Sequence, residues 1–167
     1  PQDADAIRND GFTNVIPIEE IKTIDGISIY RTTGHHGFGQ IGQMMGPVSG
    51  YVLKAEGFPT VYIMGDCRWE ACIRDTVERF NPDYIVVNSG GAIFPEFSKT
   101  DGPIIPDENE VMQILDELPS HIKLIAVHMD AIDHCQTTRA ILRNEATHHE
   151  ADMSRLIIPE DGETVVL

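Results

Sequence analysis

The stretch "SGYVLKAEGFPTVYIMGDC" (49–67) carries the clearest signal of the fold in this sequence. It contains two apolar runs, 49–55 and 60–65, separated by a short turn with a glycine and a proline. Runs rich in β-branched and aromatic residues are typical of strands, and the second run is continuous enough to be buried on both faces. Because a third run, "GISIYRTT" (26–33), precedes them, we predict three successive antiparallel strands, the last of which leads into Asp66.

Strands and helices alternate in the rest of the chain. "DYIVVN" (83–88) and "HIKLIAVH" (121–128) are predicted as buried strands, with helices over 67–81, 107–118 and 137–146. Asp107 is the expected N-cap of the second helix, with Glu110 at the capping-box position. A terminal strand pair, 155–167, is expected to turn at Asp161-Gly162. This order predicts a layered α/β architecture in which helices cover a sheet with two apolar faces.

Length and charge limit the functional classes. The 167 residues suffice for one domain, 1–167, with a sizeable core. The 12 Lys and Arg against 27 Asp and Glu give a net charge of −15, which disfavours nucleic acid and an anionic membrane surface as partners. The sequence has no apolar run long enough to span a bilayer and no leader pattern at its start. Three irregularly spaced cysteines predict no disulfide framework, so we expect a cytoplasmic protein.

Polar residues follow three of the predicted strands. His36 comes after "SIYRTTG", Asp66 after "TVYIMG" and His128 after "KLIAV". Loops at strand ends of layered α/β folds can bring ligands together, so a His, Asp, His set in this arrangement is a candidate divalent-metal site. Each residue also has a plain structural alternative: Asp66 as a helix N-cap, His128 as a hydrogen-bonded strand-end histidine, and His36 as a loop residue.

Four stretches carry a resemblance to a known family. They are "GHHGFGQIGQMMGPVSGYVLKAEGFPTVYIMGDC" (34–67), "NPDYIVVNSGGAIF" (81–94), "IKLIAVHMDAIDHC" (122–135) and "IIPEDGE" (157–163). Together they resemble the latter two-thirds of the metallo-beta-lactamase fold hydrolases, and look most like the branch that includes the ascorbate-6-phosphate lactonases. The resemblance implies an αββα sandwich of which this chain is the C-terminal part.

Three site residues carry over from that family. His36 matches a histidine that ligates the first metal, Asp66 the aspartate that bridges two metals, and His128 the histidine that ligates the second metal. His35 is the rival to His36, which we prefer because the family's "HG" step follows it. The resemblance implies a binuclear hydrolase with two zinc ions, or manganese or iron in their place, in which Asp66 and His128 serve catalysis by positioning metal-bound hydroxide.

One departure from the family pattern is large. Its principal ligand motif, HxHxDH, occurs nowhere in the 167 residues, and we expect it upstream of Pro1. The resemblance therefore implies that the chain needs the missing N-terminal half of the same domain as its partner, or associates with a second copy. Two other functions stay open: a non-catalytic α/β interaction domain derived from the family, and a flavodiiron-like oxidoreductase that uses iron on the same fold.

The substrate class is predicted only broadly. The lactonase-like branch favours a small-molecule lactone, ester or phosphoester, and the basic residues that could contact an anionic group are Arg31, Arg68 and Lys99. Other residues near the expected site have both a functional and a structural interpretation; they are His134, Cys135, Cys67, Asn88, Gly90 and Gly91. The pair His148 and His149 is interpreted as a solvated helix end.

Overall fold

The structure is a computed structural model that describes residues 3–167, with the side chain of Ser98 left aside. Within this range the strands, in chain order, are β1 (Ile21–Ile24), β2 (Ile27–His35), β3 (Pro47–Lys54), β4 (Val61–Gly65), β5 (Tyr84–Asn88), β6 (Lys123–Val127) and β7 (Leu156–Ile157). The helices are α1 (Ala4–Asn9), α2 (Gly39–Met45), α3 (Ala71–Phe80), α4 (Ser98–Asp101), α5 (Glu108–Glu117) and α6 (Arg139–His148). No helix in residues 3–167 is long and apolar enough to cross a membrane.

The strands form one seven-stranded sheet in simple chain order, from β1 to β7. Pairing is antiparallel from β1 to β4 and parallel from β4 to β7. The antiparallel pairing predicted for the first three strand runs is confirmed. Two antiparallel steps separate β2 from β4, so β2, β4, β5 and β6 all run in the same direction and end at one edge of the sheet, here called the carboxyl edge.

The core lies between one face of the sheet and the helices α3, α5 and α6. Tyr62, Met64, Val87 and Leu124 point from alternate strand positions into it and are fully buried. The helices contribute apolar residues at helical spacing, among them Ile73, Val77, Ile114, Leu115 and Leu142. The layered α/β prediction is therefore confirmed.

The opposite face of the sheet is also apolar but is only partly covered. Ile29, Tyr51, Leu53 and Ile63 lie on it, and together with α1 and residues 15–18 they line a cavity of about 480 Å³. Ile63, in the middle of β4, is 37% exposed. Much of this sheet face is therefore open to solvent in the described chain.

Two predicted boundaries are wrong. The helix predicted over 67–81 begins only at Ala71, because 67–70 forms a loop whose groups bond elsewhere; Arg68 N, for example, donates to His35 O at 3.0 Å. The predicted C-terminal stop is confirmed, with Asn81 as a left-handed C-cap.

The strand pair predicted over 155–167 is also wrong. Only Leu156–Ile157 forms a strand, and it pairs in parallel with β6 rather than with the following residues. Pro159 has no N–H to continue a ladder. Two arginines of α6 bind the next carbonyls instead: Arg143 donates to Ile158 O at 3.1 Å and Arg139 donates to Pro159 O at 2.7 Å.

Candidate metal centre at the carboxyl edge

The three predicted ligands all lie at the carboxyl edge of the sheet. β2 ends at His35, β4 at Gly65 and β6 at Val127, so His36, Asp66 and His128 each follow a strand end directly. All three residues are half-buried. The common direction of β2, β4 and β6 is therefore what puts the three side chains on one side of the sheet.

Electrostatic interactions show that the three side chains share one neighbourhood. Burial lowers the pKa of His36 below its ordinary value; the Asp66 carboxylate opposes this shift, and the His128 imidazole adds to it. The net effect favours the neutral imidazole, which is the form that binds metal ions. Asp66 and His128 thus lie near enough to His36 to influence its pKa.

The Asp66 carboxylate is held in place from the neighbouring strand. Asn88, the last residue of β5, donates from Nδ2 to Asp66 Oδ1 at 2.7 Å. The pairing between β4 and β5 shifts register between Ile63 and Gly65, and Gly65 has a φ of 70°. Such irregularities redirect the side chain that follows. The N-cap of α3 is Glu70, so the alternative interpretation of Asp66 as a helix cap is wrong.

His128 occupies an unusual backbone conformation. Its φ is 65°, in the left-handed region that residues other than glycine rarely adopt, and such conformations cluster at functional sites. The imidazole Nδ1 lies 3.8 Å from the Cys135 thiol sulfur. Among the hydrogen bonds of residues 3–167, none involves its Nε2, which leaves that nitrogen free for a ligand.

His35 is directed elsewhere. Its Nδ1 lies 2.8 Å from Glu70 Oε1, and its backbone N donates to the same oxygen at 2.8 Å. The imidazole is 66% exposed, whereas Glu70 is 18% exposed. His35 therefore ties the end of β2 to the loop that follows Asp66, and is engaged by a protein carboxylate rather than available to a metal ion.

The other candidate residues have mainly packing roles. The His134 ring stacks on Phe94 with 5.3 Å between the ring centroids. Cys67 is fully buried, and burial raises the pKa of its thiol to about 12, so it is not a thiolate at neutral pH. His149, at the end of α6, pairs with Asp116 at 2.8 Å, in agreement with the surface role predicted for it.

Two of the three predicted anion-contacting residues are already engaged. Arg31 donates to Ser49 Oγ at 2.8 Å and to the Glu19 carbonyl at 3.1 Å. Arg68 pairs with Glu110 at 2.6 Å between Nε and Oε2 and also donates to the Pro103 carbonyl. Lys99, on α4, is exposed to solvent.

The Arg68 and Glu110 pair was not found from the sequence. Asp107 caps α5 as predicted, accepting from Glu110 N at 2.9 Å. The Glu110 side chain does not return to the cap, as a capping box would require; it binds Arg68 and also accepts from Trp69 N at 2.6 Å. Burial raises the pKa of Glu110, and the Arg68 guanidinium opposes that shift. The pair fixes the loop after Asp66 to α5.

A cleft of about 600 Å³ lies beside the end of β2, and its lining does not include His36, Asp66 or His128. Its lining includes residues 35 and 37, on either side of His36, together with Phe38, Gln43 and Glu70. This volume lies within the range of sites that bind small molecules.

The donor set suits part of a metal centre. Two imidazoles and a carboxylate are the ligand types that zinc, manganese and iron share, and one oxygen of Asp66 has no protein partner among the hydrogen bonds of the described residues. Within residues 3–167, however, no three His, Cys, Asp or Glu side chains lie close enough together to hold an ion. The three residues therefore fit a centre to which other ligands contribute.

A known protein that is similar to this chain in sequence is longer than the chain. No family model matches it. The chain is 32% identical over 164 residues to the UPF0173 protein YddR of Bacillus subtilis, and this match covers 97% of the chain but 62% of that protein. It thus spans less than two-thirds of the length of this curated relative.

Solved structures show the same relation. The chain is similar to a possible metal-dependent hydrolase from Veillonella parvula, with a TM-score of 0.91 and 31% identity. The match covers all of this chain and 64% of that one. The same coverages hold for an isothiocyanate hydrolase from Delia radicum gut bacteria, with a TM-score of 0.89 and 33% identity. The novel metallo hydrolase Igni18 of Ignicoccus hospitalis shares the fold, with a TM-score of 0.65 and 17% identity over 96% of this chain and 64% of that one. The chain thus has a mixed α/β, metallo-beta-lactamase-like fold, and its structural neighbours include a possible metal-dependent hydrolase and a metallo hydrolase.

Proposed function

We propose that the full-length protein is a metal-dependent hydrolase whose metal centre includes His36, Asp66 and His128. The observation that carries this proposal is that each of these residues follows the end of a different strand at the carboxyl edge, with Asp66 and His128 near enough to influence the pKa of His36. The metal-dependent and isothiocyanate hydrolases described above support it, because they share both the fold and about a third of the sequence.

Each residue has a stated role in this proposal. His36 and His128 would each hold a metal ion through a neutral imidazole, and Asp66 would contribute its carboxylate to the same centre. Zinc is the expected metal, with manganese and iron as alternatives that accept the same ligands. When bound, the metal supplies a hydroxide at neutral pH and stabilises the oxyanion that forms during hydrolysis. Asn88 and Cys135 hold Asp66 and His128 in place from the protein side.

The remaining ligands and a covering layer are proposed to come from another part of the same protein. Zinc sites normally use three or four protein ligands, more than residues 3–167 bring together. The apolar sheet face around Tyr51 and Ile63 is only partly covered, and about one-third of each matched protein lies outside the part that this chain matches. A second sheet on this face would complete the predicted αββα sandwich. The alternative is that a second copy of the chain covers this face. In that case the full-length protein would form a dimer in which this face is buried.

The substrate is proposed to be a small molecule with an uncharged electrophilic carbon, such as a lactone or an ester. The net charge of −15 disfavours anions, and the guanidinium groups of Arg31 and Arg68 are engaged with protein acceptors. An isothiocyanate also fits this description, and the similar hydrolase from Delia radicum gut bacteria is named for that substrate. A phosphoester, which is also compatible with metal-bound hydroxide, is less favoured because few cations are free to bind it.

Turnover of matched substrates by the full-length protein tests this proposal. We expect hydrolysis of a neutral lactone, ester or isothiocyanate, and slower hydrolysis of a phosphomonoester of similar size. His36→Ala should lose bound metal and activity together, whereas His35→Ala should keep the metal. His121→Ala, at an exposed position before β6, is the matched control.

Three results would contradict the proposal. Faster turnover of the phosphomonoester would refute the substrate class. Full activity of the His36→Ala variant would refute the ligand assignment. Iron together with oxygen-dependent oxidation, and no hydrolysis, would instead support the oxidoreductase alternative.

A further inference from the structure

β5 lies between the two strands that lead into Asp66 and His128. It pairs in parallel with β4 on one side and with β6 on the other, and all three end at the carboxyl edge. The end of β5 contributes no histidine or carboxylate, since it continues into Asn88, Ser89 and Gly90. Its position raises the question of what these three residues do for the metal ligands on either side.

On the β4 side, Asn88 contacts the Asp66 carboxylate directly. The amide Nδ2 donates to Oδ1 at 2.7 Å, a short hydrogen bond to a charged acceptor. Asn88 and Asp66 are both half-buried, so this contact is partly shielded from solvent. An amide donor holds a carboxylate in one orientation and leaves the second oxygen, Oδ2, available for another partner.

On the β6 side, the next two residues hold the backbone that carries His128. Ser89 donates to the Val127 carbonyl twice, from its backbone N at 2.9 Å and from Oγ at 3.0 Å. Gly90 packs so closely that a Cβ added to it would lie 2.4 Å from His128 O and 2.8 Å from Cys135 Sγ. The end of β5 therefore contacts both ligand-bearing segments.

We propose that Asn88 is a positioning residue that fixes the orientation of Asp66 for metal binding, and that the segment 88–90 sets the spacing between Asp66 and His128. This inference rests on the proposed function, because it assigns the hydrogen bond a role only if Asp66 is a ligand. Partners that orient ligating side chains typically change metal affinity by about 10- to 100-fold when they are removed. Asn88 should therefore affect metal affinity without binding the metal itself.

Zinc affinity of the full-length protein, measured by competition with a chromophoric chelator, tests this inference. Asn88→Ala removes the donor, and Asn88→Leu removes it while keeping a side chain of similar size. We expect both variants to bind zinc about 10- to 100-fold more weakly than the wild type. Asn109→Ala, at an exposed asparagine on α5, is the control and should leave zinc affinity unchanged.

A second measurement separates positioning from general stability. The unfolding midpoint of the metal-free protein should change little in Asn88→Leu, whereas the rise in midpoint on adding zinc should shrink. Bound cobalt should also give an altered visible absorption spectrum in this variant, because the geometry around the metal changes. If Asn88→Ala does not fold, Asn88→Leu decides the outcome.

Different results would overturn the proposed function and the role of Asn88. A wild-type protein that binds none of zinc, manganese and iron overturns the proposed function and this inference with it. A wild-type protein that binds zinc, with Asn88→Leu within twofold of its affinity, overturns only the role of Asn88.

Discussion

Substitution of Glu110 by alanine tests how the loop after Asp66 is held. Glu110 is 8% exposed and accepts two hydrogen bonds from that loop, from Arg68 Nε and from Trp69 N, both at 2.6 Å. The Arg68 side chain is itself only 15% exposed. Glu110→Ala therefore leaves a largely buried guanidinium without its carboxylate and a buried backbone N–H without an acceptor.

The expected loss of stability is large. Removing one partner of a buried ion pair costs about 3–5 kcal/mol, because the remaining charge stays buried without compensation. The total unfolding free energy of a domain is roughly 5–15 kcal/mol, so the variant loses a substantial fraction of it. Urea unfolding at pH 7, followed by circular dichroism, measures the difference. The control is Glu78→Ala, at an exposed position of α3, which should change the unfolding free energy by less than about 0.5 kcal/mol.

A double variant shows whether the effect comes from the ion pair. Arg68→Met combined with Glu110→Leu removes both charges, and it should be more stable than Glu110→Ala alone because no unpaired charge remains. The reasoning is refuted if Glu110→Ala costs less than about 1 kcal/mol, or if the double variant is less stable than the single one.

Three further predictions concern single positions. Gly90→Ala should lose about 1–3 kcal/mol of unfolding free energy in urea, because its Cβ would meet His128 O at 2.4 Å; an unchanged midpoint would contradict this packing. The hydrogen bond from Arg74, the largest cause, lowers the pKa of Glu117 from 4.5 to about 2, so the stability it contributes is present above pH 4.5 and is lost as the pH falls toward 2. The unfolding free energy, measured from pH 7 to 2, should therefore fall less steeply with decreasing pH in Glu117→Gln than in the wild type. Equal slopes would contradict the assignment. Asn81→Ala should lower the thermal midpoint by the equivalent of about 1 kcal/mol, because the C-cap has a φ of 42°, whereas Asn81→Gly should not.

Much of the sheet could be predicted from the sequence because its strands are continuous apolar runs. β4, β5 and β6 are short and bounded by turn residues, and the pattern of each was sufficient to locate it. The N-cap Asp107 was also recognisable, since its side chain bonds locally to Glu110 N. The positions of His36, Asp66 and His128 after strand ends followed from the same boundaries.

The strand β1 was not predicted, although the sequence contains a local signal for it. β1 pairs with β2 through the two-residue turn Asp25-Gly26, with φ values of 49° and 83°. Two consecutive positive φ values are typical of a type I′ hairpin, which Asp-Gly favours. The dipeptide could therefore have predicted β1.

Other features depend on tertiary structure and have no local signal. The hydrogen bond between Asn88 and Asp66 requires the parallel pairing of β4 with β5, which brings together residues 22 positions apart. The side chain of Glu110 is drawn from its local cap by Arg68, 42 positions away. The arginines of α6 likewise donate to the carbonyls of residues 158–159. These carbonyls are therefore not available for the hairpin that Asp161-Gly162 favours.

The metal content of the full-length protein, purified without chelators, shows directly whether Asp66 belongs to a metal centre. We expect about two bound ions per chain, as in two-metal hydrolases, and their loss in Asp66→Ala while the variant stays folded. A folded wild-type protein that carries no metal and takes up none when zinc is added would contradict this assignment.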